Sequence, residues 1–326
     1  MMLEEIARAT VSERKAVFLE SAKIKNMNAA MIEKDFWVCW TLKRLFSDKD
    51  LQELLCFKGG TSLSKVFNVI ERFSEDIDLI LNCDVILNGR DLIQSSKTKQ
   101  ISLNKSLIED SQKYIATDLK NKIQKITEDI CAVELDNDDK NILNIKYPKG
   151  IDNDYLLPFI KLEIGPLASW IPNSNYKIKP YIDCIASLNF EDIIVPTIVA
   201  ERTFWEKITI LHREHFRTEK HKHPERYSRH YYDVYQMGHY FILDSALQRI
   251  DLLEAVVDFK KRFYPCTWAN YDLAQQKTIE LIPSEYNMDF LSNDYQKMKL
   301  MIYGDYPEWN EIIDFLKNLE NKIRTF

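Results

Sequence analysis

Phe57 to Leu81, FKGGTSLSKVFNVIERFSEDIDLIL, places a Gly-Gly-Thr-Ser turn a short helix's length ahead of two aspartates, Asp76 and Asp78, with one apolar residue between them. Alternate residues of a strand point to one face, so Asp76 and Asp78 project together while Ile77, Leu79, Ile80 and Leu81 anchor the strand in a core. Gly59 and Gly60 let backbone N–H groups approach a ligand closely. Thr61 and Ser62 add hydroxyls at a helix start, and such a corner can hold phosphate. Leu63, Val66, Phe67 and Ile70 recur at helical spacing, so the segment reads as strand, glycine turn, helix, loop (Glu71 to Glu75), strand.

Two carboxylates on one rigid face suit a hard cation such as Mg²⁺. Beside a phosphate corner, they suggest metal-dependent nucleotidyl transfer. Either half alone is common, since Asp-x-Asp occurs on solvated strand ends and Gly-Gly in ordinary turns. A third acidic position strengthens the pattern: Tyr155 to Ile164, YLLPFIKLEI, alternates so that Lys161 and Glu163 share a face opposite Ile160, Leu162 and Ile164. Glu163 is either the third metal carboxylate or an edge-strand charge paired with Lys161 or a neighbour.

Four segments in order, IEKDFWVCWTLKRLF (Ile32 to Phe46), FKGGTSLSK with RFSEDIDLIL, ERTFWEKITILH (Glu201 to His212) and RHYYDVYQM (Arg229 to Met237), resemble the AbiEii/AbiGii toxin family. That family lies within the DNA polymerase β-like nucleotidyltransferase superfamily. The resemblance implies nucleotide contacts from Gly60, Thr61 and Ser62, beside Gly59 of the same turn and with Ser74 in the same motif, and metal binding by Asp76 and Asp78. It implies that Lys207 grips triphosphate oxygens and that Asp233 is a further essential acid. Glu163 matches only by its place on a later strand. Family members include toxins of toxin–antitoxin and phage-defence systems, some of which add nucleotides to tRNA 3′ ends. The implied substrate is therefore an NTP with Mg²⁺ or Mn²⁺, the acceptor an RNA or tRNA, and the partner an antitoxin from a neighbouring gene.

The chain of 326 residues is long enough for two domains with sizeable cores. Six scattered cysteines lack any Cys-x-x-Cys pair, and Cys39, Cys56 and Cys184 lie among apolar neighbours, which reads as buried reduced thiols. The N-terminus carries acids early and has no apolar leader core, and no run is long enough to span a bilayer. A cytoplasmic protein without membrane attachment is expected. With 50 acidic against 44 basic residues the chain has no global field for nucleic acid, so any such binding needs a local patch.

The expected class is α+β: an N-terminal polymerase β-like domain, residues 1–196, with a mixed sheet and flanking helices, then an all-helical C-terminal domain, residues 197–326, completing a cleft. N-terminal helices run from Val11 to Ser21 and from the N-cap Asn28 onward. Glu33, Lys34 and Asp35 read as salt-bridged surface or rim residues. An insertion at 95–154 holds an amphipathic helix, marked by Leu107, Tyr114 or Ile115, Leu119, Ile123 and Ile126, and then a hairpin around a solvated acidic turn, Asp136 to Asp139. Tyr176 to Ala186 reads as a strand. Later helices are expected with Phe204, Ile208 and Leu211 on one face, with Tyr231, Val234, Tyr235, Gly238 and Phe241 on another, and over Leu252 to Arg262, Asn270 to Leu281 and Glu308 to Ile323.

All six histidines fall between His212 and His239, and Arg213 to His230 carries six Lys or Arg against three Glu. A zinc site would use His212, His215, His221 and His223, but the spacing matches no ligand motif and no cysteine accompanies it. The stretch is instead a basic loop that attracts RNA or triphosphate, or a solvated loop with no ligand. Arg72 and Lys58 are lesser candidates for phosphate contacts. Asp233 could also be a helix ion pair with Arg229. Two other functions fit the same pocket: a nucleotide-binding regulatory protein without turnover, and a transferase acting on a small hydroxylated molecule such as an antibiotic.

Overall fold

The computed structural model of the chain describes residues 2–153 and 156–326. Its strands are β1 (Leu55–Lys58), β2 (Ile77–Leu81), β3 (Ala132–Leu135), β4 (Ile142–Lys146), β5 (Ile160–Gly165), β6 (Asn173–Ile178) and β7 (Ile193–Ile198). They form one sheet in the order β3-β4-β5-β2-β1-β7-β6. β2 runs parallel to β5 and β1 parallel to β7, while the other neighbours are antiparallel. The sheet is therefore mixed, and the class is α+β.

The chain divides into two compact units: residues up to Val66 with Ser74–Ile198, and Phe67–Phe73 with Val199–Phe326. The first unit contains the whole sheet and the helices α1 (Met2–Arg8), α2 (Val11–Lys25), α3 (Ala29–Ser47), α4 (Lys49–Leu54), α5 (Gly59–Lys65), α6 (Asp84–Leu87), α7 (Lys97–Tyr114) and α8 (Lys120–Thr127). Thr10 and Glu13 form a reciprocal capping box at the start of α2, and the Asn28 side chain accepts from Ala30 N at 2.8 Å to start α3. α3 is buried almost all round, with Phe36, Trp37 and Trp40 inside the core that also takes Phe57, Ile77, Leu79 and Leu162. Deleting any of the three aromatic side chains of α3 should cost about 3–5 kcal/mol.

That burial corrects one expectation. Glu33, Lys34 and Asp35 are not surface residues; they are 1%, 1% and 4% exposed. Each is compensated: Glu33 accepts from Gly150 N and Ile151 N, Lys34 pairs with Glu75, and Asp35 pairs with Lys65 and accepts from Tyr181 N. Cys39 and Cys56 are buried free thiols, whereas Cys184 is only half-buried.

α7 and α8 continue through a π-helical turn, Ile115–Leu119. Ile115 is fully buried in the core with Leu107, Leu119 and Ile123, and Tyr114 packs against it partly buried. The acidic turn is a solvated loop in which Asp136 accepts from the Asp138 and Asp139 amides and from Asn144. Tyr155, where the third acidic strand was expected to start, and Asp154, the last residue of the insertion, lie outside the described residues. The strand expected over Tyr176 to Ala186 ends at Ile178, because Pro180 lacks an N–H for the ladder, and Tyr181–Cys184 form a 3₁₀ turn.

The second unit is helical: α9 (Ala200–His215), α10 (Arg229–Gly238), α11 (Ile242–Leu247), α12 (Ile250–Phe263), α13 (Glu285–Lys297) and α14 (Trp309–Thr325). The helix expected over Asn270 to Leu281 is absent. Asn270 takes a left-handed φ of 46° between two 3₁₀ turns, which breaks helical continuity. The helix after the glycine turn likewise stops at Lys65, and Asn68 at φ 53° turns the chain, so Phe67 and Ile70 are not helical. Phe67–Phe73 is instead held in the second unit. Phe73 N donates to Met301 O at 2.7 Å, Tyr303 N donates to Glu71 O at 2.9 Å, and Arg72 bridges to Ile302.

Candidate active site

β2 presents Asp78 on the face opposite the main core, and the parallel register pairs Asp78 with Glu163 of β5. Cross-strand partners point to the same side, so these carboxylates share one face with Asp76, two residues before Asp78. On the other side of β2, Lys58 of β1 is the partner of Asp78. Further along the Asp78 face, Ile80 packs with Cys56 and Ile198, which gives this part of the strand an apolar footing.

The glycine turn abuts the aspartates directly. Gly59 has a φ of +84°, and a Cβ built on it would overlap the Asp78 carboxylate. Only glycine meets both demands. Thr61 and Ser62 are fully buried, and their hydroxyls are spent within the turn. Thr61 Oγ1 lies 2.9 Å from Ser74 Oγ and 2.5 Å from Asp76 O, and Ser62 Oγ donates to Gly59 O at 2.8 Å. Of the two hydroxyls expected to contact nucleotide, Thr61 thus ties the turn to the start of the aspartate strand, and Ser62 closes the turn on itself.

Burial pushes the Asp76 carboxyl up to about 6, and the neighbouring Glu75 and Asp78 carboxylates add to the shift against Lys161 and Lys34. A divalent cation would remove that electrostatic penalty, so the oxygen donors Asp76 and Asp78 fit a hard metal ion. Among the described residues, no three Asp, Glu, His or Cys side chains are grouped so that they could hold a metal. Glu163 shares the face of the pair without closing a three-ligand set.

Lys207 and Asp233 meet in the second unit together with Arg72, a lesser candidate from the sequence for a phosphate contact. Asp233, on α10, is fully buried and accepts from two of the three Arg72 guanidinium nitrogens, Nε at 2.7 Å and Nη2 at 2.8 Å, together with Lys207 Nζ of α9 at 2.7 Å. Burial alone would raise the Asp233 carboxyl, but the Arg72 guanidinium and the Lys207 ammonium hold it far below the usual carboxylate range. Arg229 is not its partner in this arrangement. The sequence offers no sign of the Arg72–Asp233 pairing, because Arg72 sits in a segment that reads as an ordinary loop.

The histidines serve packing. His212 is buried, its Nδ1 accepting from Glu280 N at 3.0 Å and its Nε2 lying 3.2 Å from Asn270 O, and His215 Nδ1 lies 2.7 Å from Ile282 O. His221 packs on Trp268, and His223 stacks on Phe290. The basic stretch is likewise partly internal. Arg213 and Arg217 both pair with the buried Glu214, and Arg217 lies over the Trp268 ring. Lys220, Lys222, Arg226 and Arg229 are exposed. No helix among the described residues is long and apolar enough to cross a membrane.

Among solved structures the chain is similar to JHP933 from Helicobacter pylori, at 15% identity and a TM-score of 0.42, covering 87% of this chain and 88% of that one. It is also similar to MenT4, a nucleotidyltransferase toxin from Mycobacterium tuberculosis, at 15% identity and a TM-score of 0.41, covering 94% and 98%. No curated protein matches by sequence. The family model described as nucleotidyl transferase AbiEii toxin, type IV toxin–antitoxin system, matches residues 40–318. That span takes in the glycine turn, Asp76, Asp78, Glu163, Lys207 and Asp233, and the chain belongs to the AbiEii family of nucleotidyltransferase toxins.

Proposed function

We propose that the protein moves a nucleoside monophosphate from an NTP to the 3′ hydroxyl of an RNA, with tRNA as the acceptor, and that it requires Mg²⁺ or Mn²⁺. In the cell it acts as the toxin of a phage-defence pair, held in check by an antitoxin. The observation that carries this reading is the Asp76–Asp78 pair with Gly59 pressed against it, in a chain of this family.

Asp76 and Asp78 are the residues to hold the metal, with Glu163 on the same face. A bound divalent ion supplies Lewis-acid activation of the acceptor hydroxyl and charge neutralisation on the triphosphate. Gly59 and Gly60 leave the turn bare of side chains, so backbone N–H groups can meet phosphate oxygens. Thr61 fixes that turn through Ser74 and the Asp76 carbonyl. Arg72, Lys207 and Asp233 together carry one net positive charge, a set suited to a polyanion such as triphosphate.

The test is incubation with each labelled NTP, Mg²⁺ or Mn²⁺, and total RNA. Label should enter RNA with the wild type and vanish with Asp78→Asn. Persistence of label with Asp78→Asn would overturn the site, and label on a protein or small molecule would overturn the acceptor alone. Expression should arrest growth, and Asp78→Asn should abolish that arrest.

A further inference from the structure

Lys34 is 1% exposed, and its ammonium makes three bonds of 2.7 Å: to Glu75 Oε2, to Leu157 O and to Phe159 O. A lysine ammonium has three N–H donors, so all are placed. Glu75 is bonded covalently to Asp76 and stands two residues before β2; Phe159 immediately precedes β5. Because β2 and β5 are parallel, their N-terminal ends lie at the same end of the sheet. One buried cation thus spans the starts of the strands that carry Asp78 and Glu163, with Asp76 immediately before the first of them.

We propose that Lys34 is a positioning residue for the carboxylate face: it pins the start of β2 to the start of β5 and so fixes the spacing of the metal-binding side chains. This rests on the reading of Asp76 and Asp78 as metal ligands. An apolar side chain would fill the same volume at lower desolvation cost, so a lysine here supplies directional bonds that packing cannot. Its neighbours on α3 make a useful contrast. Glu33 ends on Gly150 and Ile151, and Asp35 on Lys65 and Tyr181, so neither joins the two strands. Outer groups that orient metal ligands typically change metal affinity about 10–100-fold when removed.

The measurement is Mn²⁺ binding without nucleotide, by electron paramagnetic resonance, beside thermal melting. Lys34→Met leaves Glu75 buried without its ammonium and should lower the melting temperature. The double variant Lys34→Met/Glu75→Gln removes both charges and should recover much of that loss, while Mn²⁺ affinity stays about tenfold or more below wild type. Wild-type Mn²⁺ affinity in the double variant, or a double variant too unstable to fold, leaves Lys34 a stabilising role only and overturns the proposal. Asp78→Asn is the control: if it binds Mn²⁺ as the wild type does, the metal reading itself fails.

Discussion

Gly59 and Asp78 share one space: the position a side chain would take on the glycine is filled by the aspartate's carboxylate, and the glycine backbone is left-handed. Gly59→Ala should therefore displace Asp78, or the turn, and abolish nucleotide transfer. Strain at the positive φ adds a stability loss of about 1–3 kcal/mol. Melting curves and NTP incorporation measure the two effects, and a fully active Gly59→Ala would show that Asp78 tolerates displacement.

Asp76 should make the metal-free protein less stable at neutral pH than in acid. Its folded carboxyl is raised from 3.8 to about 6, so the folded state holds the proton more tightly than the unfolded chain. The penalty is absent below the unfolded value, develops as pH rises towards 6, and is complete above it, reaching at most about 3 kcal/mol. With metal chelated, Asp76→Asn should melt higher than wild type at pH 8, show no advantage at pH 3.5, and be inactive throughout. A lower melting temperature at pH 8 would contradict the assigned environment.

Asp233→Asn should be the most damaging change in the second unit. It leaves the Arg72 and Lys207 cations buried against one another, and removing one partner of a buried ion set costs about 3–5 kcal/mol. Lys207→Met should cost less, because the Arg72 fork on Asp233 remains. Calorimetric melting of both variants decides the order. Equal or reversed losses would mean that Lys207, not the fork, holds the set together.

His212 should confer an acid-labile element on the second unit. Burial lowers its imidazole to about 4, and its Nδ1 must stay unprotonated to accept from the Glu280 amide. A depressed histidine stabilises the fold fully above its unfolded value of 6.5, and this contribution fades as pH falls towards 4, by about 3 kcal/mol in all. His212→Gln should flatten the fall in melting temperature over that window. An unchanged slope would place the acid sensitivity elsewhere.

The shared carboxylate face was legible because its determinants are local: Asp76 and Asp78 lie two residues apart at one strand, where a period of two assigns faces directly, whereas the helical spacing read onto Phe67 and Ile70 failed at the left-handed Asn68. Glu163 was legible through alternation, and the register with Asp78 then follows from strand pairing. What the sequence concealed was burial of charge. Glu33, Lys34 and Asp35 read as polar surface because their compensating partners are distant in sequence, Glu75 being 41 positions away from Lys34. Arg72 and Asp233, 161 positions apart, were hidden for the same reason. The basic stretch was overcounted as surface because Arg213 and Arg217 fold back onto Glu214.

The placement of Phe67–Phe73 has a consequence for how such a protein can be divided. The chain passes from one unit to the other after Val66, returns at Ser74, and leaves again after Ile198. No single cut yields two complete pieces, since a fragment ending at Ile198 would carry Arg72 away from Asp233 and Glu71 away from Tyr303. The units are thus interleaved in the gene although each is compact in space. A helical unit of this kind cannot be gained, lost or swapped by end-to-end fusion alone, and the seven residues between the glycine turn and the aspartates would have to change hands with it.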